Sequence, residues 1–419
     1  MPFTSLGLSP ALAQAASDQG YPAPTAVQLA AVPAILQGHD VLATAQTGSG
    51  KTAAYCLPLL QQWLAGRQAS PRQTQTLILL PTRELAAQVG DVLRQLAQGL
   101  PRRPKIAVVF GGVSINPQMM ALRGGADIVA ATPGRLLDLL AHNALRLSSV
   151  DTLVLDEADR LLDLGFADEL AGVLAQLPPY RQNLLFSATF PPAVRTLAER
   201  LLNQPQRIDI APDDTAAPDI RQRAIEVDAG RRTMLLRHLL QTHGWERALV
   251  FVASRHSADR VAGKLQAAGI RAAALHGDCS QGQRGQVLAD LKSGRLQVLV
   301  ATDVAARGID IARLPVVINY DLPRSPVDYT HRIGRTGRAG ASGEAISFIS
   351  ADSAAHFQLI EKRQRLRLPR ERIAGFEPVA ASPATVPNTT TDNGGVKGKR
   401  KSKKDKLREA AAQAQTEPR

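Results

Sequence analysis

Thr152-Leu153-Val154-Leu155-Asp156-Glu157-Ala158-Asp159 decides how the rest of the chain is read. A short β-rich apolar run delivers two adjacent carboxylates, and a third after one alanine, to the end of a buried strand. Carboxylates at such a place are costly unless a cation or a hydrogen-bond network satisfies them. An acidic cluster after a strand is more often a solvated loop, so the cluster alone does not name a metal. Its company does. Ala45-Gln46-Thr47-Gly48-Ser49-Gly50-Lys51-Thr52 follows the apolar run Val41–Ala45 and precedes a helical pattern, the setting in which a glycine-rich loop cradles phosphates on its N–H groups and the helix N-terminus adds its dipole. The strict pattern has Gly where this chain has Ala45. Lys51 would reach the β- and γ-phosphates, and the Thr52 hydroxyl would bind Mg²⁺. Asp156 then becomes the residue placed to hold Mg²⁺ through water, and Glu157 the residue to orient and deprotonate an attacking water.

Working outward, β-rich apolar runs alternate with helical patterns. The first set is Val41–Ala45, Thr76–Leu80, Ile106–Phe110, Asp127–Ala131, Thr152–Leu155 and Asn183–Ser187. The second is Ala224–Val227, Ala248–Val252, Arg271–Leu275, Gln297–Ala301, Val316–Asn319 and Ala345–Ile349. Helices are expected over Arg83–Ala97, Ala193–Leu202, Ser257–Ala268 and Gln281–Lys292. Fully apolar strands alternating with helices argue an α/β fold with parallel sheets, built twice in tandem. The polar, proline-bearing stretch Ala211–Pro218 marks the boundary. From about Glu377 the composition turns to Ala, Pro, Thr, Asn, Gly and Lys, which reads as a disordered tail with a short helix over Lys404–Gln415.

The 419 residues carry a net charge of +13, and six of those charges come from Lys397–Arg419. A polyanionic partner is the pointed reading of that surplus; solubility is the bland one. Cys56 and Cys279 have no metal-ligand spacing and suit a reducing compartment. The start has an Ala-Gln-Ala but neither a basic region nor a continuous apolar core, so it is not read as a signal peptide. No apolar stretch approaches a membrane span. A cytoplasmic location and no membrane contact are expected.

With these residues in hand, the chain resembles the DEAD-box RNA helicases of superfamily 2 over about residues 1–375, because about a dozen short motifs occur in the right order. Phe110–Met120 and Arg372–Pro378 look like the bacterial RhlE-type branch. The resemblance implies two tandem RecA-like domains, divided as a Q motif (1–29), an ATP-binding domain (30–208), a linker (209–219), a second domain (220–376) and a basic tail (377–419). It implies ATP with Mg²⁺ as cofactors. Phe3, Tyr21, Thr25 and Gln28 would read adenine, the Gln28 amide donating and accepting at once and Tyr21 stacking. Ala45 to Thr52 would hold the phosphates, with Gly308 and Asp310 also at the nucleotide and Asp310 on the ribose hydroxyl. Asp159, Ser187, Thr189 and His331 would couple nucleotide to RNA. In Tyr329–Arg338, Arg335 and Arg338 would act as arginine fingers from the second domain, which contribute ~10³–10⁵-fold in rate. A solvated basic face is the competing reading for these arginines, which the interleaved glycines argue against.

The same resemblance makes a backbone track for one RNA strand from Pro81, Thr82, Arg83, Gly112, Thr132, Pro133, Gly134 and Arg135, continued by Ser254, Arg255, Gly277, Gln281, Arg284 and Thr302. Taken singly, each is more often a turn or cap residue. Ser254 stands where many members have Thr, and the hydroxyl survives. Backbone contacts carry no sequence information, so little sequence preference is expected. Lys51 and Glu157 lie in one domain and Arg335 and Arg338 in the other, so hydrolysis should require closure. Closure in turn should locally open short duplexes or remodel RNA–protein complexes. The chain is expected to act as a monomer on single strands and short duplexes, with ribosome-assembly or RNA-decay proteins as partners. A DNA translocase on the same scaffold and a non-catalytic RNA clamp are the competing classes. The clamp predicts a missing Lys, Glu or Arg finger, and none is missing.

Overall fold

The computed structural model describes residues 2–45, 48–66, 70–210, 220–306, 314–337 and 342–379. Fourteen strands are found there: β1 (Val41–Thr44), β2 (Thr76–Leu79), β3 (Ile106–Val109), β4 (Ile128–Ala131), β5 (Thr152–Leu155), β6 (Gln182–Ser187), β7 (Gln206–Asp209), β8 (Ile220–Glu226), β9 (Ala248–Val252), β10 (Ala272–Leu275), β11 (Val298–Thr302), β12 (Val316–Asn319), β13 (Gly343–Ile349) and β14 (Arg370–Glu371). They form two seven-stranded sheets, ordered β3-β4-β2-β5-β6-β1-β7 and β10-β11-β9-β12-β13-β8-β14. All of their pairings are parallel. The second order repeats the first, so one α/β unit occurs twice.

The twelve apolar runs all become strands, and the four helices fall at Arg83–Leu96, Pro192–Leu201, Arg255–Ala267 and Gln281–Lys292. The central strands are apolar throughout because helices cover both faces; Leu153, Val154 and Leu155 are all fully buried. The two strands without an apolar run, β7 and β14, sit at sheet edges. In β7 only Ile208 is buried, and such an edge offers no hydrophobic periodicity to read.

Register positions the site. Thr44 pairs with Ser187 across β1 and β6, and Leu155 with Leu185 across β5 and β6. The exits of β1, β6 and β5 therefore lie side by side at the carboxyl edge of the first sheet, where ligands bind in open α/β sheets. Gln46, Thr47, Gly308, Asp310, Arg338, the boundary stretch Ala211–Pro218 and the tail beyond Val379 lie outside the described residues.

Candidate functional site

The loop leaving β1 turns through Gly48 (φ 92°) and Gly50 (φ 96°) into helix Lys51–Ala65. Gly50 is required twice over. Its φ is left-handed, and a Cβ there would come within 2.7 Å of the Gln28 amide and 2.9 Å of the Thr25 hydroxyl. Gln28 is fully buried. Its Oε1 accepts from the Thr25 N–H (3.0 Å), and its Nε2 donates to the Gly50 carbonyl (3.1 Å). The motif that was expected to read adenine is thus tied directly to the phosphate loop. Phe3 is buried in a 3₁₀ turn, and Tyr21 packs partly buried on the same core. Lys51 is buried, and its ammonium donates to the Ala45 carbonyl.

Asp156 follows β5 at the same edge. Its Oδ1 accepts from the Glu157 N–H (2.8 Å) and its Oδ2 from the Tyr55 hydroxyl (2.8 Å). Burial raises its pKa to about 6; Lys51 pulls it down and Glu157 pushes it up. A buried carboxylate this reluctant to ionise fits a cation that restores its charge. Glu157 holds a left-handed backbone (φ 50°) with no glycine to ease it, a strain of ~1–3 kcal/mol of the kind met at functional sites. Its Oε2 is buried without a hydrogen bond and lies 3.5 Å from Arg160 Nε. A carboxylate held buried and under-satisfied is available to a ligand. The glycine cradle, the buried ammonium and these two carboxylates together fit a magnesium-bound nucleoside triphosphate.

Asp159 lies in the first turn of helix Ala158–Asp163. Its Oδ2 accepts from the Thr189 hydroxyl (2.7 Å) and N–H (3.0 Å), while its own N–H donates to Ser187 Oγ (3.3 Å). Ser187 Oγ donates in turn to the Thr189 carbonyl (2.7 Å). The expected coupling residues are therefore brought together. The fourth, His331, comes from helix Pro326–Ile333 of the second half. Its pKa falls to about 4, chiefly through burial, then through Arg160 and Arg335, with Asp159 opposing. His331 therefore lies within electrostatic reach of the first half. A folded pKa of about 4, below the ordinary 6.5, means the unfolded chain binds more protons in that window. This contribution weakens stability as pH falls from 6.5 towards 4. His331→Asn should consequently gain about 2 kcal/mol on wild type between pH 7 and pH 5. Urea midpoints at the two pH values check this; parallel curves refute it. Because Asp156 titrates the opposite way, the comparison with wild type carries the test.

Arg335 is buried just beyond the helix end. Arg332, three residues earlier, is spent on the fold: it grips both oxygens of Asp303 (2.6 and 2.7 Å) and lies over the Phe251 ring. It is a structural arginine.

Among the expected RNA contacts, Thr82 caps helix Arg83–Leu96, and Arg83 donates to the Gly112 carbonyl (3.5 Å). Thr132, Pro133 and Gly134 open helix Pro133–Ala141, where Arg135 donates to the Val113 carbonyl (2.7 Å) with its Nη1 buried and unpartnered. Pro81 follows β2. Ser254 caps helix Arg255–Ala267, and exposed Arg255 pairs with Asp278 next to Gly277. The Gln281 amide oxygen is buried without a partner, and Thr302 closes β11. Arg284 is placed differently. It is buried, donates to the His276 carbonyl (3.1 Å), and forms an ion pair of 2.6 Å with Glu84 of the first half.

Three residues of this site were not singled out from sequence. Tyr55 reads as an apolar helix position, and only proximity shows its hydroxyl on Asp156. Glu84 and Arg160 carry helix charges whose partners, Arg284 and Glu157, only the fold supplies.

Residues 25–197 match the DEAD/DEAH box helicase family, and residues 231–340 match the helicase conserved C-terminal domain. The DEAD-box ATP-dependent RNA helicase CshA of Bacillus cereus is 40% identical over 88% of this chain and 69% of its own. The ATP-dependent RNA helicase DeaD of Mycobacterium tuberculosis is 41% identical over 90% of this chain and 66% of its own. Among solved structures, Saccharomyces cerevisiae Dbp5 bound to RNA and ADP BeF3 superposes with a TM-score of 0.76 at 31% identity, covering 88% of this chain and 95% of that one.

Proposed function

Because this chain belongs to the DEAD-box ATP-dependent RNA helicases, we propose that it couples ATP hydrolysis to local opening of short RNA duplexes, or remodelling of RNA–protein complexes, through a site completed from both halves. The observation that carries this is the 2.6 Å ion pair between Arg284 of the second half and Glu84 of the first, which ties the halves together. The lowered pKa of His331, to which burial and then Arg160 contribute, agrees with it. The domain division at 1–29, 30–208, 209–219 and 220–376, with a tail from 377, belongs to the same reading, as do the Q motif, an RhlE-type branch, monomeric action and cytoplasmic location. Among the described residues, no helix is long and apolar enough to cross a membrane.

In this reading Gly48 to Thr52 bind the phosphates, with Gln46 and Thr47. Gln28, Tyr21, Thr25 and Phe3 hold the base, and Gly308 and Asp310 the ribose side. Asp156 and Thr52 would hold Mg²⁺, which when bound offsets the charge of the phosphate oxygens. Glu157 takes the proton of the attacking water. Arg335 and Arg338 stabilise charge that develops as the terminal phosphoryl leaves. Asp159, Ser187, Thr189 and His331 report whether the second half has docked. Strand-end hydroxyls, N–H groups and guanidinium groups hold an RNA backbone, and contacts to 2′-hydroxyls select RNA. A ligand that favours the docked form then raises turnover by linkage.

The test against a DNA translocase is direct. RNA should stimulate the ATPase at least about tenfold more than DNA of the same sequence, measured by phosphate release; equal stimulation removes the RNA-selective reading.

A further inference from the structure

From the last turn of helix Ala354–Gln364 in the second half, the chain reads Lys362-Arg363-Gln364-Arg365-Leu366-Arg367-Leu368-Pro369-Arg370-Glu371-Arg372, six cations in eleven residues. The carboxylates within reach are already taken. Arg370 grips both oxygens of Glu361 (2.8 and 2.6 Å), and Arg372 holds Glu226 (2.7 Å). Glu371 and Glu344 belong to Arg223, which lies on β8. Arg367 only adds to the field that Arg370 already exerts on Glu361. The side chains of Lys362, Arg363 and Arg365 meet no hydrogen-bond or ion-pair partner among the described residues, and they are exposed together with that of Arg367.

This surface is firmly mounted. The Gln364 amide donates to the Pro326 carbonyl (3.1 Å) and to Thr330 Oγ1 (2.8 Å), both on the helix that carries His331. The Leu368 N–H donates to Glu361 (2.9 Å), and β14 then pairs with β8. Arg365 itself holds a left-handed backbone, φ 53°, at the helix C-terminus. Glycine occupies that conformation without penalty, whereas a side chain there is strained. A cation kept in the strained position, beside three other exposed cations that hold no carboxylate in an ion pair, is poorly explained by helix-end electrostatics alone.

We propose that Lys362, Arg363, Arg365 and Arg367 form an additional RNA phosphate-binding surface, separate from the strand-end track and fixed to the helix of His331. It rests on the RNA-helicase reading, and its ligand is a sugar-phosphate backbone without sequence preference. Four exposed cations within six residues suit a polyanion, and each phosphate neutralised adds about 0.7–0.9 to the slope of log affinity against log salt. RNA held here would be tied through Gln364 to the element that docks on the first half.

The experiment uses the full chain with Lys362, Arg363, Arg365 and Arg367 all changed to Gln. Binding of a short RNA duplex with a single-stranded tail is followed by fluorescence anisotropy in a nonhydrolysable ATP analogue at salt concentrations from about 50 to 200 mM. The salt slope should fall in magnitude by about 3, the range expected for four contacts. The RNA concentration needed for half-maximal ATPase should rise at least about tenfold. ATPase without RNA should stay at wild-type level, since none of the four residues touches the nucleotide site. An unchanged slope, with wild-type ATPase still stimulated by RNA, overturns this surface and leaves the main reading standing. A wild-type protein that RNA does not stimulate overturns the main reading instead.

Discussion

Glu157→Gln stops ATP turnover while ATP-dependent RNA binding persists: that is the expected result, with a fall of about 10²–10⁴-fold, the usual contribution of a positioned general base. The geometry asks this of Glu157 rather than of Asp156. Asp156 has both oxygens engaged, one by the Tyr55 hydroxyl and one by the Glu157 N–H, and burial lifts its pKa to about 6. Glu157 keeps one oxygen buried and without a hydrogen bond, and it does so on a left-handed backbone that a structural role would not call for. Glutamine preserves the shape and the polar reach but cannot take a proton. It also leaves Arg160 facing a neutral group at a buried site, so some stability should be lost. Single-turnover hydrolysis, read beside a thermal denaturation curve, separates the two effects. Turnover within tenfold of wild type in a folded variant would remove the base assignment. Loss of RNA binding along with turnover would point to misfolding or failed docking instead.

Most of the frame of this site is visible in the sequence because it depends on local chemistry. A glycine at Gly50 is needed wherever a loop turns left-handed under a tight neighbour, and three carboxylates after Leu153-Val154-Leu155 demand an explanation wherever that strand is buried. The strands are legible for the same reason, except β7 and β14, whose edge positions leave nothing apolar to repeat. What the sequence cannot show is which charges the fold pairs over long separations. Arg284 looks like one more cation on an RNA track, yet it meets Glu84 two hundred positions away. Tyr55 looks like core, and its hydroxyl ends on a carboxylate 101 positions later. Arg332 and Arg335 share a spacing and a residue type. Only packing against Asp303, Asn319 and Phe251 reveals that the first is structural.

That contrast sets up the other large effect. Arg335→Ala should lower single-turnover ATP hydrolysis at saturating RNA by ~10³–10⁵-fold, the range of an arginine finger, equivalent to about 4–7 kcal/mol of barrier. The backbone at Arg335 is held by the protein's own hydrogen bonds. Its N–H donates to the Arg332 carbonyl, and its own carbonyl accepts from Leu314 beside the Thr336 bridge. The side chain is buried and close enough to His331 to help depress that residue's pKa. A group held by the fold and aimed at developing charge contributes chiefly in the transition state, so ATP affinity should change little while the chemical step collapses. Lysine should rescue poorly, because an ammonium carries the charge without the planar fork. Arg332→Ala is the informative companion. It leaves Asp303 partly buried without its bidentate partner, so it should lose stability by roughly 3–5 kcal/mol. Nucleotide chemistry in whatever fraction stays folded should be unaffected. If Arg335→Ala instead lowers the unfolding midpoint and spares hydrolysis, the two arginines have exchanged roles and the second half brings no charge to the phosphates through Arg335.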